Sequence, residues 1–133
     1  MSTMASVSVV IPVYNEELGI APLLARLLEV MKASDLDYEI IVVDDGSTDD
    51  TTARIETTGV HVLRHPENRG YGAALKTGIR QASNPLIAIM DADGTYSPER
   101  IPYLVKHLVT SRCDMVVGAR TGKGVKIPRL RRP

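Results

Sequence analysis

Tryptophan and phenylalanine are absent from this sequence, and cysteine occurs once, at Cys113. A single cysteine excludes an intrachain disulfide and suits a reducing compartment, so stability must come from a buried apolar core. Any ring stacked on a nucleobase must be a tyrosine or a histidine, an inventory that does not name the base. No stretch approaches the roughly 18 consecutive apolar residues of a membrane span. The opening MSTMASVSVVIPVYNEE lacks the basic start and long apolar run of a secretory signal. These absences lead us to expect a soluble, cytoplasmic chain. Sixteen basic and sixteen acidic residues cancel, which removes any broad attraction for nucleic acid. What is present is enough for one domain: 133 residues, 44% of them hydrophobic, can bury a core without staples.

The pattern along the chain alternates short apolar runs with helical periodicity. Residues 7–12, 38–43, 60–64, 86–90 and 114–118 read as strands, the first two β-branched enough to be buried on both faces. Between them, Leu18, Leu23, Leu24, Leu27, Leu28 and Met31 recur at helical spacing, and further helices are expected at 51–56 and 73–81. A fourth is expected from Ser97-Pro98 to about Val109, with serine as N-cap and proline at the first helical position. Five strands separated by four helices imply an α/β fold with a doubly wound, mostly parallel, Rossmann-like sheet. Residues 1–120 are expected to form this domain. Residues 121–133, which include Lys123, Lys126, Arg129, Arg131 and Arg132 but no acid, are expected to form a basic loop or tail.

In such a sheet, ligands collect beyond the carboxyl ends of the strands. The unusual polar clusters fall at those ends: YNEE after the first strand, DDGSTDD after the second and DADG after the fourth. Asp91 and Asp93 are two residues apart, so both carboxylates can point the same way. Hard oxygen donors in that arrangement suit Mg²⁺ or Mn²⁺, with substrate phosphates and water completing the shell. Taken alone, D-x-D also reads as a solvated turn, with Gly94 in a left-handed position. Asp44 and Asp45 directly follow a buried strand, where a carboxylate can accept from a nucleobase N–H or ribose hydroxyls. Capping of the next helix by Thr48 or Asp49 accounts for part of the same cluster. Tyr14 offers a ring and Glu16 an acceptor, although an acidic first helical turn would look the same. Gly70, preceded by Arg69 and followed by Lys76, fits a loop that brings N–H groups and a cation to phosphate, and equally a plain loop into a helix.

The ordered set VVIPVYNEE, VVDDGSTDDT, ENRGYGAALKTGI, DADGTYSPERIP and VVGAR resembles the family 2 glycosyltransferases over nearly all of residues 7–120. The branch it is most similar to is the polyprenyl-phosphate sugar synthases, the dolichyl-phosphate mannose synthase-like group. Thr95 stands where that group often has glutamine. The resemblance implies a GT-A fold and metal-dependent transfer of a sugar, with inversion, from a nucleotide diphosphate sugar. A polyprenyl phosphate or another glycan or lipid is the implied acceptor. It also implies that Pro12, Tyr14, Asn15, Glu16, Val43, Asp44, Asp45, Gly70, Lys76, Asp91, Ala92, Asp93 and Arg120 line the donor site. Asp91 and Asp93 are the implied metal ligands, and Asp93 is the implied catalytic residue. Members of the family continue past this point with an acceptor-binding half, so the sequence is expected to be the donor-binding part of a longer protein. That longer form is expected at the cytoplasmic face of a membrane. Two alternatives remain open: a nucleotide-binding fragment without turnover, and a sugar nucleotidyltransferase. The second is disfavoured by the lack of a glycine- and arginine-rich loop near the amino terminus.

Overall fold

A computed structural model of the chain describes residues 5–95 and 97–111. The order of elements is β1 (Ser6–Val13), α1 (Ile20–Ala33), β2 (Asp37–Asp44), α2 (Thr51–Glu56), β3 (His61–Arg64), α3 (Tyr71–Gln81), β4 (Leu86–Ile89) and α4 (Arg100–Ser111). The strands form one parallel sheet in the order β3-β2-β1-β4. The expected fifth strand at 114–118, the tail at 121–133 and Arg120 lie outside the described residues.

β1 is central and pairs on both sides, Val10 with Ile41 of β2 and with Ile89 of β4. Its Val7, Val9, Ile11 and Val13 point to one face and join Ile20, Leu24, Leu27 and Met31 of α1, Ile55 of α2, and Ile101 and Val105 of α4. The α1 set recurs at intervals of three and four residues, which keeps it on one face of a helix. α3 packs on the other face, where Ala74 meets Ile41 and Val43. A Cβ on Gly78 would stand 2.4 Å from Val10 Cγ1, so α3 lies closer to the sheet there than any side chain permits. Helices therefore cover both faces, as a doubly wound sheet requires.

Three boundaries differ from expectation. Leu18 is 89% exposed and precedes α1, so it continues the spacing of the leucines without sharing their face. α3 begins at Tyr71, two residues earlier than its apolar pattern suggests, because Gly70 at φ +102° turns the chain into it. α4 begins at Arg100 rather than at Pro98. Backbone bonds from Arg100 to Ser97 and from Ile101 to Pro98 form a preceding turn, and the Ser97 hydroxyl bonds Glu99 instead of capping.

Strands β2 and β3 lie to one side of β1 and β4 lies to the other. The order in which strands are added therefore switches sides at β1, and in sheets of this kind the switch point between β1 and β4 marks where a ligand crevice forms beyond the carboxyl ends. β4 is an edge strand among the described residues. Its Ile87 and Ile89, beside Ser8 and Val10 on the α3 face, stay 37% and 48% exposed.

Candidate functional site

Three loops leave the carboxyl ends of β1, β2 and β4, and the first two are interlocked. Asn15 adopts φ +51°, a left-handed conformation that asparagine tolerates better than most residues. Its backbone N–H donates to Ser47 Oγ at 2.9 Å, and its Oδ1 accepts from Thr48 N at 2.8 Å. Glu16 N donates to Thr51 Oγ1 at 2.8 Å, and Asp50 N donates to Glu17 Oε2 at 3.1 Å. The YNEE and DDGSTDD segments thus hold each other through four contacts before any ligand arrives. Among the described residues no buried side-chain nitrogen or oxygen lacks a partner.

Asp44 and Asp45 belong to that internal framework. Asp44 is fully buried; its Oδ1 accepts from Ser47 N at 3.0 Å, and its Oδ2 accepts from the Thr52 hydroxyl. Asp45 is 4% exposed. Its Oδ1 accepts from His65 Nδ1 at 2.8 Å and from Arg69 N at 2.9 Å, and its Oδ2 accepts from Gly70 N at 2.8 Å. Burial alone raises the Asp45 carboxyl, but the hydrogen bonds from His65, Arg69 and Gly70 outweigh it and hold the group below its ordinary value. Asp49 accepts from the Thr51 N–H at 2.9 Å and from its hydroxyl, which shapes the turn into α2; the N-cap position itself is Asp50, so neither Thr48 nor Asp49 takes the expected capping place.

The carboxylates that face outward are different ones. Glu16 is half-buried and Asp93 is exposed. The Glu16 carboxyl is raised, first by burial and then by the negative charges of Asp93 and Asp49. One acid from each of the three loops therefore contributes to a single negative field. Asp91 is half-buried, and its Oδ1 accepts from the Tyr71 hydroxyl at 2.9 Å. Asp93 Oδ1 accepts from Thr95 N at 3.0 Å and from Thr95 Oγ1 at 2.7 Å, an arrangement that shapes the turn through Gly94 at φ +79°. No three His, Cys, Asp or Glu side chains among the described residues stand close enough to cage a metal unaided. Two carboxylates with oxygen donors fit a hard divalent cation that takes its remaining ligands from phosphate and water.

The remaining expected positions divide. Tyr14 is 44% exposed at the end of β1 and is free of the core. Pro12 and Val43 are buried, and the Val43 side chain packs with Ala74 in the core cluster under α3. Ala92 is buried among residues of the main core. Gly70 presents its N–H to Asp45, so that donor is engaged within the protein. Lys76 is two residues from both Ala74 and Gly78, which face the sheet; at 100° per residue it projects to the outer side of α3. It is exposed and not gathered with the strand-end acids. His65, Thr77, Ser47, Thr51 and the Tyr71 hydroxyl were not anticipated as individual site residues. For His65 the signal was slight: a histidine directly after a strand, in a loop already marked by glycine and arginine.

Comparison with known proteins adds the decisive observation. Residues 8–133 match the family described as Glycosyl transferase family 2. This chain belongs to that family. A dolichol-phosphate mannosyltransferase of Pyrococcus furiosus is 35% identical over 125 residues, covering 91% of this chain and 35% of the relative. An undecaprenyl-phosphate 4-deoxy-4-formamido-L-arabinose transferase of Proteus mirabilis is 43% identical over 105 residues, 74% of this chain and 32% of that protein. Among solved structures, a glucosyl-3-phosphoglycerate synthase of Mycobacterium tuberculosis in complex with Mn²⁺, uridine diphosphate and phosphoglyceric acid superposes with a TM-score of 0.69. It shares 32% identity over 80% of this chain and 39% of that one. The family 2 chain described here thus spans about a third of the length of the relatives it matches. Apart from Ser6 and Val7, its sheet and all three strand-end loops lie inside the matched region, and the doubly wound α/β architecture is that of the glycosyltransferase structures it resembles. No helix among its described residues is long and apolar enough to cross a membrane.

Proposed function

We propose that this chain forms the donor-binding part of an inverting, metal-dependent glycosyltransferase that uses a nucleoside diphosphate sugar and a polyprenyl phosphate acceptor. The observation that carries the reading is the match to Glycosyl transferase family 2 over residues 8–133, which takes in the acidic loops beyond β1, β2 and β4. Glu16 is raised first by burial and then by the charges of Asp93 and Asp49, and acids that repel in this way suit a bound cation. The relatives named above act, by name, on dolichol or undecaprenyl phosphate, and the solved neighbour holds Mn²⁺ with UDP.

On this reading Asp91 and Asp93 would hold a divalent cation, which when bound would supply positive charge to offset that building on the departing nucleoside diphosphate. Tyr14 is exposed directly after β1, where its ring can lie against the nucleoside. The interlocked loops after β1 and β2 supply a surface that needs no rearrangement to receive it. In the transfer itself, an acceptor phosphate oxygen bonds to the anomeric carbon as the bond from that carbon to the diphosphate oxygen breaks, which inverts the centre. That nucleophile is already anionic, so it requires no strong base from the protein.

The test is calorimetric titration of UDP and of GDP into the folded chain with Mn²⁺, with Mg²⁺ and with EDTA. Binding is expected only with a divalent cation, and Asp93→Ala is expected to abolish the difference between metal and EDTA. Absence of metal-linked binding by the folded protein overturns the proposal. Because the chain spans a third of its relatives, transfer to a polyprenyl phosphate by the chain alone is expected to be weak beside that of a full-length relative. Robust turnover in a radiolabel transfer assay contradicts that expectation.

A further inference from the structure

The buried pair Asp45 and His65 is not explained by donor contact, because both side chains are almost wholly enclosed. His65 is 5% exposed, and its ring bridges two elements: Nδ1 lies 2.8 Å from Asp45 Oδ1 after β2, and Nε2 lies 2.8 Å from Thr77 Oγ1 on α3. The His65 backbone N–H donates to Asp44 O at 2.9 Å, which fixes where the ring starts. The Asp45 carboxylate, oriented by that ring, takes the N–H groups of Arg69 and Gly70. Gly70 turns the chain into α3, and the first residue of that helix, Tyr71, reaches across the end of β1 to donate its hydroxyl to Asp91 after β4. A continuous series of contacts therefore runs from the β2 end of the sheet to the β4 end.

We infer that His65 is a positioning residue for Asp91: by orienting Asp45 it locks the Arg69–Gly70 turn, and the locked turn sets the Tyr71 hydroxyl on the Asp91 carboxylate. Two features make the arrangement specific. The Asp45 carboxylate accepts three hydrogen bonds, and without His65 it keeps two backbone donors from one turn and none from a ring fixed at both ends. Gly46 also packs against the backbone of Glu67 and Asn68, so the turn has a floor, and Asp45 supplies its clamp. Tyr71 is 55% exposed and is the first residue of α3, so the backbone at the start of that helix contributes directly to where its hydroxyl stands.

The consequence for ligand binding rests on the nucleotide-sugar reading above; the ordering of the turn does not. Two substitutions separate the two ring contacts. In His65→Asn the amide replaces Nδ1 and keeps the bond to Asp45. In His65→Gln it replaces Nε2, keeps Thr77 and abandons Asp45. Hydrogen exchange in the apo protein reads the turn directly, and calorimetry with UDP or GDP and Mn²⁺ reads the site. With His65→Gln, the Arg69 and Gly70 amides are expected to exchange roughly tenfold faster relative to core amides of β2, with the nucleotide Kd rising by a similar factor. With His65→Asn both are expected to stay within about threefold of the wild-type chain. A general structural role predicts no such split, so equal behaviour of the two folded variants overturns the inference. If either variant fails to fold, Tyr71→Phe decides: weaker Mn²⁺-dependent binding supports the inference, and unchanged binding overturns it. If the wild-type chain binds neither nucleotide with Mn²⁺, the functional reading fails, and the exchange data still decide the role of His65.

Discussion

At Gly46, φ is +75° and an added Cβ would stand 2.3 Å from the carbonyl carbon of Glu67, so substitution meets both a strained backbone and a neighbouring backbone unable to yield. Gly94 has a similar φ of +79° but nothing within 4 Å of the Cβ position. Gly46→Ala is therefore expected to cost about 3 kcal/mol or more, and Gly94→Ala about 1 kcal/mol. Urea unfolding curves for the two variants check the gap, and equal costs would show that the loop contact contributes nothing. The Asp45 carboxyl gives a prediction in pH. Its folded value lies below the ordinary 3.8, so the stability it contributes is present above that value and is lost as pH falls through the depressed one. Denaturant midpoints measured from about pH 5 to pH 2 are expected to fall less steeply for Asp45→Asn than for the wild-type chain. These residues also mark where sequence reasoning reached its limit. Asp44 and Asp45 were recognisable as strand-end acids, yet their inward orientation depends on Ser47, Thr52, His65 and two backbone amides, whose approach no local pattern encodes. Glu16 and Asp93 were marked in the sequence by short polar clusters at strand ends, and the structure leaves Asp93 exposed and Glu16 half-buried.

Among the elements, α3 shows the closest tension between helix and sheet. Gly78 is unfavourable inside a helix by about 1 kcal/mol against alanine, yet its missing side chain is what lets α3 rest on Val10 and Val43. Gly78→Ala is expected to gain that propensity and lose more to overpacking, a net loss of roughly 1–2 kcal/mol. Val10→Ala, itself destabilising, is expected to relieve the clash, so the double variant should be more stable than the sum of the single effects predicts. Thermal denaturation of all four proteins measures that coupling, and strict additivity refutes the contact. The elements themselves were well marked in the sequence, since β-branched runs and leucine spacing report burial periods directly. Their ends were less legible. Leu18 keeps the apolar type but falls before the helix, and Ser97-Pro98 has the form of a cap while Ser97 instead bonds Glu99 beside Arg26. In both places a side-chain type fits two backbone conformations, and distant packing selects between them.

Across the molecule, the sheet is asymmetric among the described residues: β1 is enclosed on both faces and pairs on both sides, while β4 pairs with β1 alone and keeps Ile87 and Ile89 partly exposed. The central position of β1 has a further consequence, in the time course of synthesis. Val7 accepts from Asn84, 77 residues further along, so β1 receives one of its two neighbours long after β1 itself is made. At about 5–20 residues per second, β1 emerges several seconds before β4 is made. In that interval β1, β2 and β3 can pair, and β1 waits with one open side. A growing chain is therefore most exposed to mispairing along the same flank of β1 that, once β4 arrives, borders the candidate site.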